Sequence, residues 1–282
     1  MRIILSRKGF DSSAGGCPSP ILPDGRLLSL PIPDPASRIA YRDIRFDGVE
    51  VGELVAQLTR DPEHPGHPAH LDPDLRPDAL PRLPGWRLLL GQSGSAQGHL
   101  RNELVRPGDV FLFFGLFRPV ENTPHGWRFQ AAAAPRQIIW GWLQIGEIHK
   151  VDELGAAQLS WARYHPHFAY GKDPANTLYL AGERLVLDGR AREIPGAGVF
   201  SHLSENLLLT APQARLPSQW RLPRWFHPQE GRSRLSYHSD AQRWSLDETG
   251  CLLQSARRGQ EFVFDATGIP QAVDWIEGLI LG

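Results

Sequence analysis

PGDVFLFFGLF, residues 107–117, begins with a Pro-Gly-Asp turn and continues as an almost unbroken apolar run. Such a run, bounded by turn residues, predicts a buried strand. Some twenty residues later QIIWGWLQIGEI (137–148) adds a second stretch whose β-branched and aromatic residues favour strand over helix. Together they make the middle third of the chain the heart of a sheet. Working outward, RIIL (2–5), LLSLPI (27–32) and WRLLLGQ (86–92) are further strand candidates. Beyond Gly171, TLYLA, RLVL, NLLLT and EFVFD add short ones separated by Gly, Pro and Asp.

Helices are few. DGVEVGELVAQLTR (47–60) offers Asp47 as N-cap, with Val51, Leu54, Val55 and Leu58 on one face. GSAQGHLRNELV (94–105) makes a short helix, and PQAVDWIEGLIL (270–281) an amphipathic one with Pro270 in its first turn. The 25 prolines and 28 glycines keep helices short. Seven prolines fall within 61–85, which predicts a long loop of the kind that carries function. The expected class is therefore α+β, a β-rich mixed sheet in one composite domain over 1–282. A subdivision near 150–175 has no flexible linker to mark it.

With 282 residues, a formal charge of -1 and a pI near 6.8, the chain has no global basic field, so contact with a polynucleotide would need a local patch. Two distant cysteines, Cys17 and Cys251, make neither a disulfide framework nor a thiolate zinc cage and fit a reducing cytoplasm. No run approaches the roughly 18 apolar residues of a membrane span, and the opening MRIILSRKGF is too short in apolar residues for a signal peptide. G-x-S-x-G, HExxH and paired CxxC motifs are absent, so the common hydrolase and zinc-protease mechanisms lose support.

Three stretches carry chemistry. In SRKGFDSSAGGCPSP (6–20), Gly15 and Gly16 permit close backbone approach, Ser12, Ser13 and Ser19 offer hydroxyls, and Lys8 and Asp11 offer opposite charges. These suit a phosphate or ribose; a tight turn held by Asx and Ser hydrogen bonds uses the same residues. GQSGSAQGHLRN (91–102) follows a strand and enters a helix, where Gln92, Gln97 and Asn102 can bind a base edge and His99 can move a proton. HPGHPAHLDPD (64–74) spaces His64, His67 and His70 three apart ahead of Asp72 and Asp74; no metal is called for, and His70 and Asp72 are the ligands were one to bind. His165 and His167 in RYHPHF either pack against Trp161 or Tyr164 or line a pocket. A lone Cys17 acts as nucleophile only with a histidine nearby.

Taken together, SRKGFDSSAGGCPSPILPDGRLLSLPIP, HLDPDL, GQSGSAQGHL, GDVFLFFGLF and IIWGWLQIGEI resemble the nucleotide modification associated domain 3 family over most of the chain. That resemblance implies an association with DNA-modification and phage-conflict systems. It supplies no catalytic residues, but it groups Lys8, Asp11, Ser12, His70, Asp72, Gln92, Gln97 and His99 in one site. The 107–117 and 138–148 pair is also similar to strands of PUA-like barrels, including the EVE and YTH groups. That similarity implies a partly closed barrel with Trp140 and Trp142 as an aromatic cage for an extruded base.

The leading expectation is an enzyme, a transferase or hydrolase acting on a nucleotide or on a base in nucleic acid. Lys8 and the glycine-rich loop would hold phosphate, Gln92 and Gln97 would orient the base, and Asp11 or His99 would move a proton. The alternatives are a non-catalytic reader of modified bases and a protein-interaction scaffold. The partner expected is nucleotide or nucleic acid; the sequence names no cofactor and no oligomeric state.

Overall fold

In the computed structural model, residues 1–228, 233–256 and 259–281 are described. Nine strands form a mixed sheet: β1 (Arg2–Arg7), β2 (Ser19–Ile21), β3 (Leu89–Gln92), β4 (Val110–Thr123), β5 (Gly126–Phe129), β6 (Arg136–Lys150), β7 (Thr177–Ala181), β8 (Ala197–Val199) and β9 (Glu261–Asp265). The path runs β9-β1-β4-β6-β7-β3, with β2 and β5 paired to β4 and β8 to β6. β1 runs parallel to β4 and antiparallel to β9. The quoted apolar runs are the two long central strands, paired antiparallel from Arg136 opposite Phe117 to Gln144 opposite Val110. Phe111, Phe113, Phe114 and Phe117 are fully buried, and at about 1.5–3 kcal/mol each they anchor the sheet.

Among the described residues the sheet ends at β9 on one side and β3 on the other and forms no closed barrel. A bulge between Ile139 and Gly141 breaks the register of the central pair. Three α-helices are present among the described residues: α1 (Val51–Thr59), α2 (Gly94–Asn102) and α3 (Gln271–Leu281). None is long and apolar enough to cross a membrane. A second apolar cluster packs α1, through Val51, Leu54, Val55 and Leu58, against Phe10, Leu28, Leu30 and Tyr41.

Local expectations fail where single residues bury without a strand partner. In 27–32 only Ile32 is in a strand, Ile32–Pro33, paired with Ala69–His70; Leu27 makes an isolated bridge to Ile21, and Leu28 and Leu30 are buried outside any strand. NLLLT likewise gives a 3-10 turn, Glu205–Leu207, with Leu207 and Leu209 buried. Asp47 is not an N-cap. Asp47 and Gly48, at φ 48° and 80°, turn the hairpin that pairs Arg45–Phe46 with Val49–Glu50, and α1 starts after Glu50. An Asp-Gly pair is a hairpin signal because both residues tolerate positive φ.

Candidate functional site

β1 leads directly into the site. Its register carries Lys8 past the end of the strand, where the Lys8 amide bonds the Phe114 carbonyl at 2.8 Å. The close approach depends on Gly115, since a Cβ there would lie 2.6 Å from the Lys8 carbonyl oxygen. Gly9, at φ 97°, then turns the chain. On the far edge of the sheet, β3 ends in Gly91 and Gln92. A Cβ on Gly91 would lie 2.2 Å from the His167 ring, so glycine in this strand marks a packed imidazole.

A cavity of about 460 Å3 opens between these two segments, with Lys8, Asp11, Ser13, Gln92, Ser93 and Tyr170 among its walls. His70, Asp72 and His167 also line it. The Lys8 ammonium lies 3.7 Å from Asp72 and 3.8 Å from Glu261, both fully buried carboxylates. Glu261 accepts from Ser6 Oγ at 3.0 Å and from Gln92 Nε2 at 2.6 Å. Burial still holds its carboxyl above the usual range, with Lys8 and the two hydrogen bonds opposing.

Asp72 is the hub. Its Oδ1 accepts the Gly91 amide at 2.6 Å and faces His165 Nε2 at 3.3 Å; its Oδ2 faces His70 Nε2 at 3.6 Å. Burial opposes its charge, but Lys8, His165 and His70 outweigh burial and hold the carboxyl well below its ordinary range. His70 Nδ1 bonds Asp34 Oδ2 at 2.8 Å, and that hydrogen bond draws Asp34 down to about 2. For His70 itself burial works against the charged ring, and the hydrogen bond to Asp34 with the nearby Asp72 carboxylate overcomes it and raises its pKa. His167 is the opposite case: burial pushes it down to about 4, and its Nδ1 bonds Asn176 Oδ1 at 2.6 Å. The Tyr170 hydroxyl donates to Asp34 at 3.0 Å, and its ring lies nearly parallel to that of His70, 9° between planes and 6.2 Å between centroids.

Of the residues expected in one site, Lys8, Asp11, Ser13, Gln92, His70 and Asp72 share this cavity. Asp11 has its Oδ1 engaged by the amides of Ser13 and Ala14 and by the Ser13 hydroxyl, the geometry of an Asx turn. Ser12 lines a hollow of about 200 Å3 beside it, which also borders Arg7, Gly9 and Asp11. Gly15 sits at φ 88° under the Phe10 ring and Gly16 at φ 78° in the same bend. Ser19 is buried, its hydroxyl accepting the Leu30 amide at 3.0 Å.

The structure does not bring the rest of the 94–102 segment to the cavity. Gln97 accepts the Tyr179 hydroxyl, Asn102 is exposed at the end of α2, and His99 bonds Ser236 Oγ at 2.9 Å against the Tyr237 ring. The helical period explains this, because the faces of α2 that carry 97 and 99 turn toward β7 and the 236–237 segment. The cage expected of Trp140 and Trp142 is corrected as well: both are buried in the main core, Trp140 against Phe113 and Trp142 against Phe200. Glu261, Asp34, Tyr170 and Asn176 were not singled out in the sequence. Only Glu261 left a trace there, as a carboxylate opening an apolar strand.

The chain matches the family described as nucleotide modification associated domain 3 over residues 2–265 and belongs to it. No curated protein and no solved structure matches it.

Proposed function

For a member of a family whose description ties it to nucleotide modification, we propose that this chain is an enzyme that binds a nucleotide, free or within a strand, in the 460 Å3 cavity and modifies it there. The observation that carries this reading is the convergence of the 8–14 loop and the 91–93 strand exit on one cavity floored by Asp72, His70 and His167. A site that joins a polar loop, an aromatic face and groups of perturbed pKa fits a small polar substrate with an aromatic part.

Each wall has a task. Ser13, whose hydroxyl donates to Asp11, and Ser93 line the cavity, and α2 starts directly after Ser93 with no acidic residue in its first turn, which favours an anionic phosphate there. Lys8 is committed to Asp72 and Glu261 and sets the charge of the floor. Tyr170 offers the ring on which a base stacks, a contact of about 1–3 kcal/mol. Modification takes place at the Asp72 end, where proton-carrying groups are concentrated.

The test is calorimetric titration of nucleoside monophosphates and a short single-stranded oligonucleotide, with mass spectrometry of the recovered nucleosides. Tyr170→Ala should weaken binding about 5- to 150-fold, the range of the stacking term. Asp72→Asn, checked for an intact thermal melt, should bind without converting. Absence of binding to every probe, or affinity unchanged by Tyr170→Ala, overturns the proposal; binding by wild type with all nucleosides recovered unaltered overturns its catalytic part.

A further inference from the structure

At the cavity floor His70, Asp72 and His167 each offer one ligand atom, and the three atoms lie within 4.8 Å of one another. Asp72 and His167 are buried, and only 12% of the His70 side chain is exposed. What distinguishes them from an incidental polar cluster is that each residue has its other polar atom occupied from behind. His70 Nδ1 faces the Asp34 carboxylate, an acceptor only, so that nitrogen carries the proton. The Asn176 amide is oriented by its own donation to the His167 carbonyl at 2.8 Å, which leaves Oδ1 to accept from His167 Nδ1–H. Asp72 Oδ1 takes the Gly91 amide. In its neutral form each imidazole therefore carries its proton on Nδ1 and has the Nε2 lone pair left to ligate, and Asp72 Oδ2 has no hydrogen bond among the described residues. Its nearest cation, the Lys8 ammonium, stands off at 3.7 Å, and a buried carboxylate oxygen without a donor at bonding distance carries a cost that a bound ion would relieve.

We propose that His70, Asp72 and His167 bind one divalent first-row transition ion through Nε2, Oδ2 and Nε2, with its remaining coordination positions open to the cavity. Two imidazoles and one carboxylate suit Zn(II), Fe(II) or Mn(II) over Ca(II) or Mg(II), which take oxygen ligands throughout. Bonds of about 2.0–2.2 Å require these atoms to draw together by about an ångström, within the freedom of a ring rotation. Asp34 and Asn176 are the outer partners that orient ligating histidines. Lys8 stands 3.7 Å from Asp72 Oδ2 but has Glu261 at 3.8 Å, so its charge stays balanced once Asp72 ligates the ion. The site is independent of the nucleotide reading, because it is measured with no nucleotide present.

The second grouping of this kind, Asp61, His64 and His67, reaches the surface at His67 and serves as the control. The full chain is stripped with chelator, desalted and titrated with Co(II), following its visible d–d bands, and with Zn(II) by equilibrium dialysis. One ion per chain is expected. His167→Gln and Asp72→Asn should each lower affinity at least about 100-fold, Asn176→Ala about 10- to 100-fold as an outer partner does, and His67→Gln should leave it unchanged. Thermal melts of the apo variants separate misfolding from ligand loss, and Asn176→Ala keeps the test open if Asp72→Asn fails to fold. No stoichiometric ion, binding that survives His167→Gln, or binding lost with His67→Gln overturns the assignment.

Discussion

Replacing Lys8 by methionine removes the single ammonium shared by two buried carboxylates. At the observed 3.7 and 3.8 Å, an effective dielectric of about 20 makes each attraction worth about 4 kcal/mol. Opposing this are the several kcal/mol of lysine desolvation that the variant no longer bears, and the relief available if Glu261 takes up a proton. The net expectation is a loss of about 3–5 kcal/mol, the range for breaking a buried ion pair from one side. Glu261→Gln in the Lys8→Met background should recover about 2 kcal/mol. The new amide would keep an oxygen for the Ser6 hydroxyl and the Gln92 side chain while removing the stranded charge. Urea unfolding in the presence of chelator, so that no ion masks the result, gives all four corners of the cycle. A Lys8→Met variant within about 1 kcal/mol of wild type, or strictly additive losses, would show that Lys8 does not hold these carboxylates together.

Other expectations follow from neighbouring geometry. His238 is fully buried, its Nδ1 donating to the Ser236 carbonyl at 2.7 Å and its Nε2 accepting the Ala256 amide at 3.0 Å. Burial holds it down to about 4 from 6.5, so between those values the unfolded chain binds the extra proton and stability falls as pH falls. Unfolding at about pH 7.5 and about pH 5 should show this group costing about 2 kcal/mol, a difference that His238→Gln removes. Gly91→Ala should cost about 1–3 kcal/mol by overpacking His167, and should lower Co(II) affinity in the same variant. Trp140→Phe and Trp142→Phe should lose about 1–3 kcal/mol of unfolding free energy, with neither indole N–H hydrogen-bonded among the described residues, and leave nucleotide affinity unchanged. A large affinity loss in either would restore the aromatic cage.

How far the sequence carried these conclusions depends on whether a residue's role was local. The apolar runs at 110–117 and 138–145 state their burial outright, and β4 and β6 lie where those runs predict. Asp47-Gly48 was equally local, but two signals competed for it, and the hairpin turn displaced the N-cap. The long 61–85 segment is mostly irregular, as its prolines require, yet it carries the Ala69–His70 strand and Asp72 into the site. Nothing within that segment indicates that His64 packs into the second apolar cluster while His70 reaches the cavity. His64 and His67 share its spacing with His70, but only His70 has Asp34 behind it, thirty-six residues earlier in the chain.

The same reasoning explains why the convergence of Lys8 with Gln92 was legible and the destination of His99 was not. Lys8 follows the end of β1 and Gln92 completes β3, and chain emerging at strand ends has few places to go. His99 lies two helical turns further on, where a 100° step per residue decides whether a side chain meets the cavity or the opposite face. Its partner, Ser236 Oγ, also accepts the Val263 amide from β9, so His99 is held in the hydrogen-bonding of the sheet's far edge. The residues that floor the cavity, with Glu261 and His165 buried against them, come from five separate segments, at 8, 70–72, 91–92, 165–167 and 261. Proximity on that scale is set by the order in which β9, β1 and β3 join the sheet, and so by pairings that no window of sequence contains.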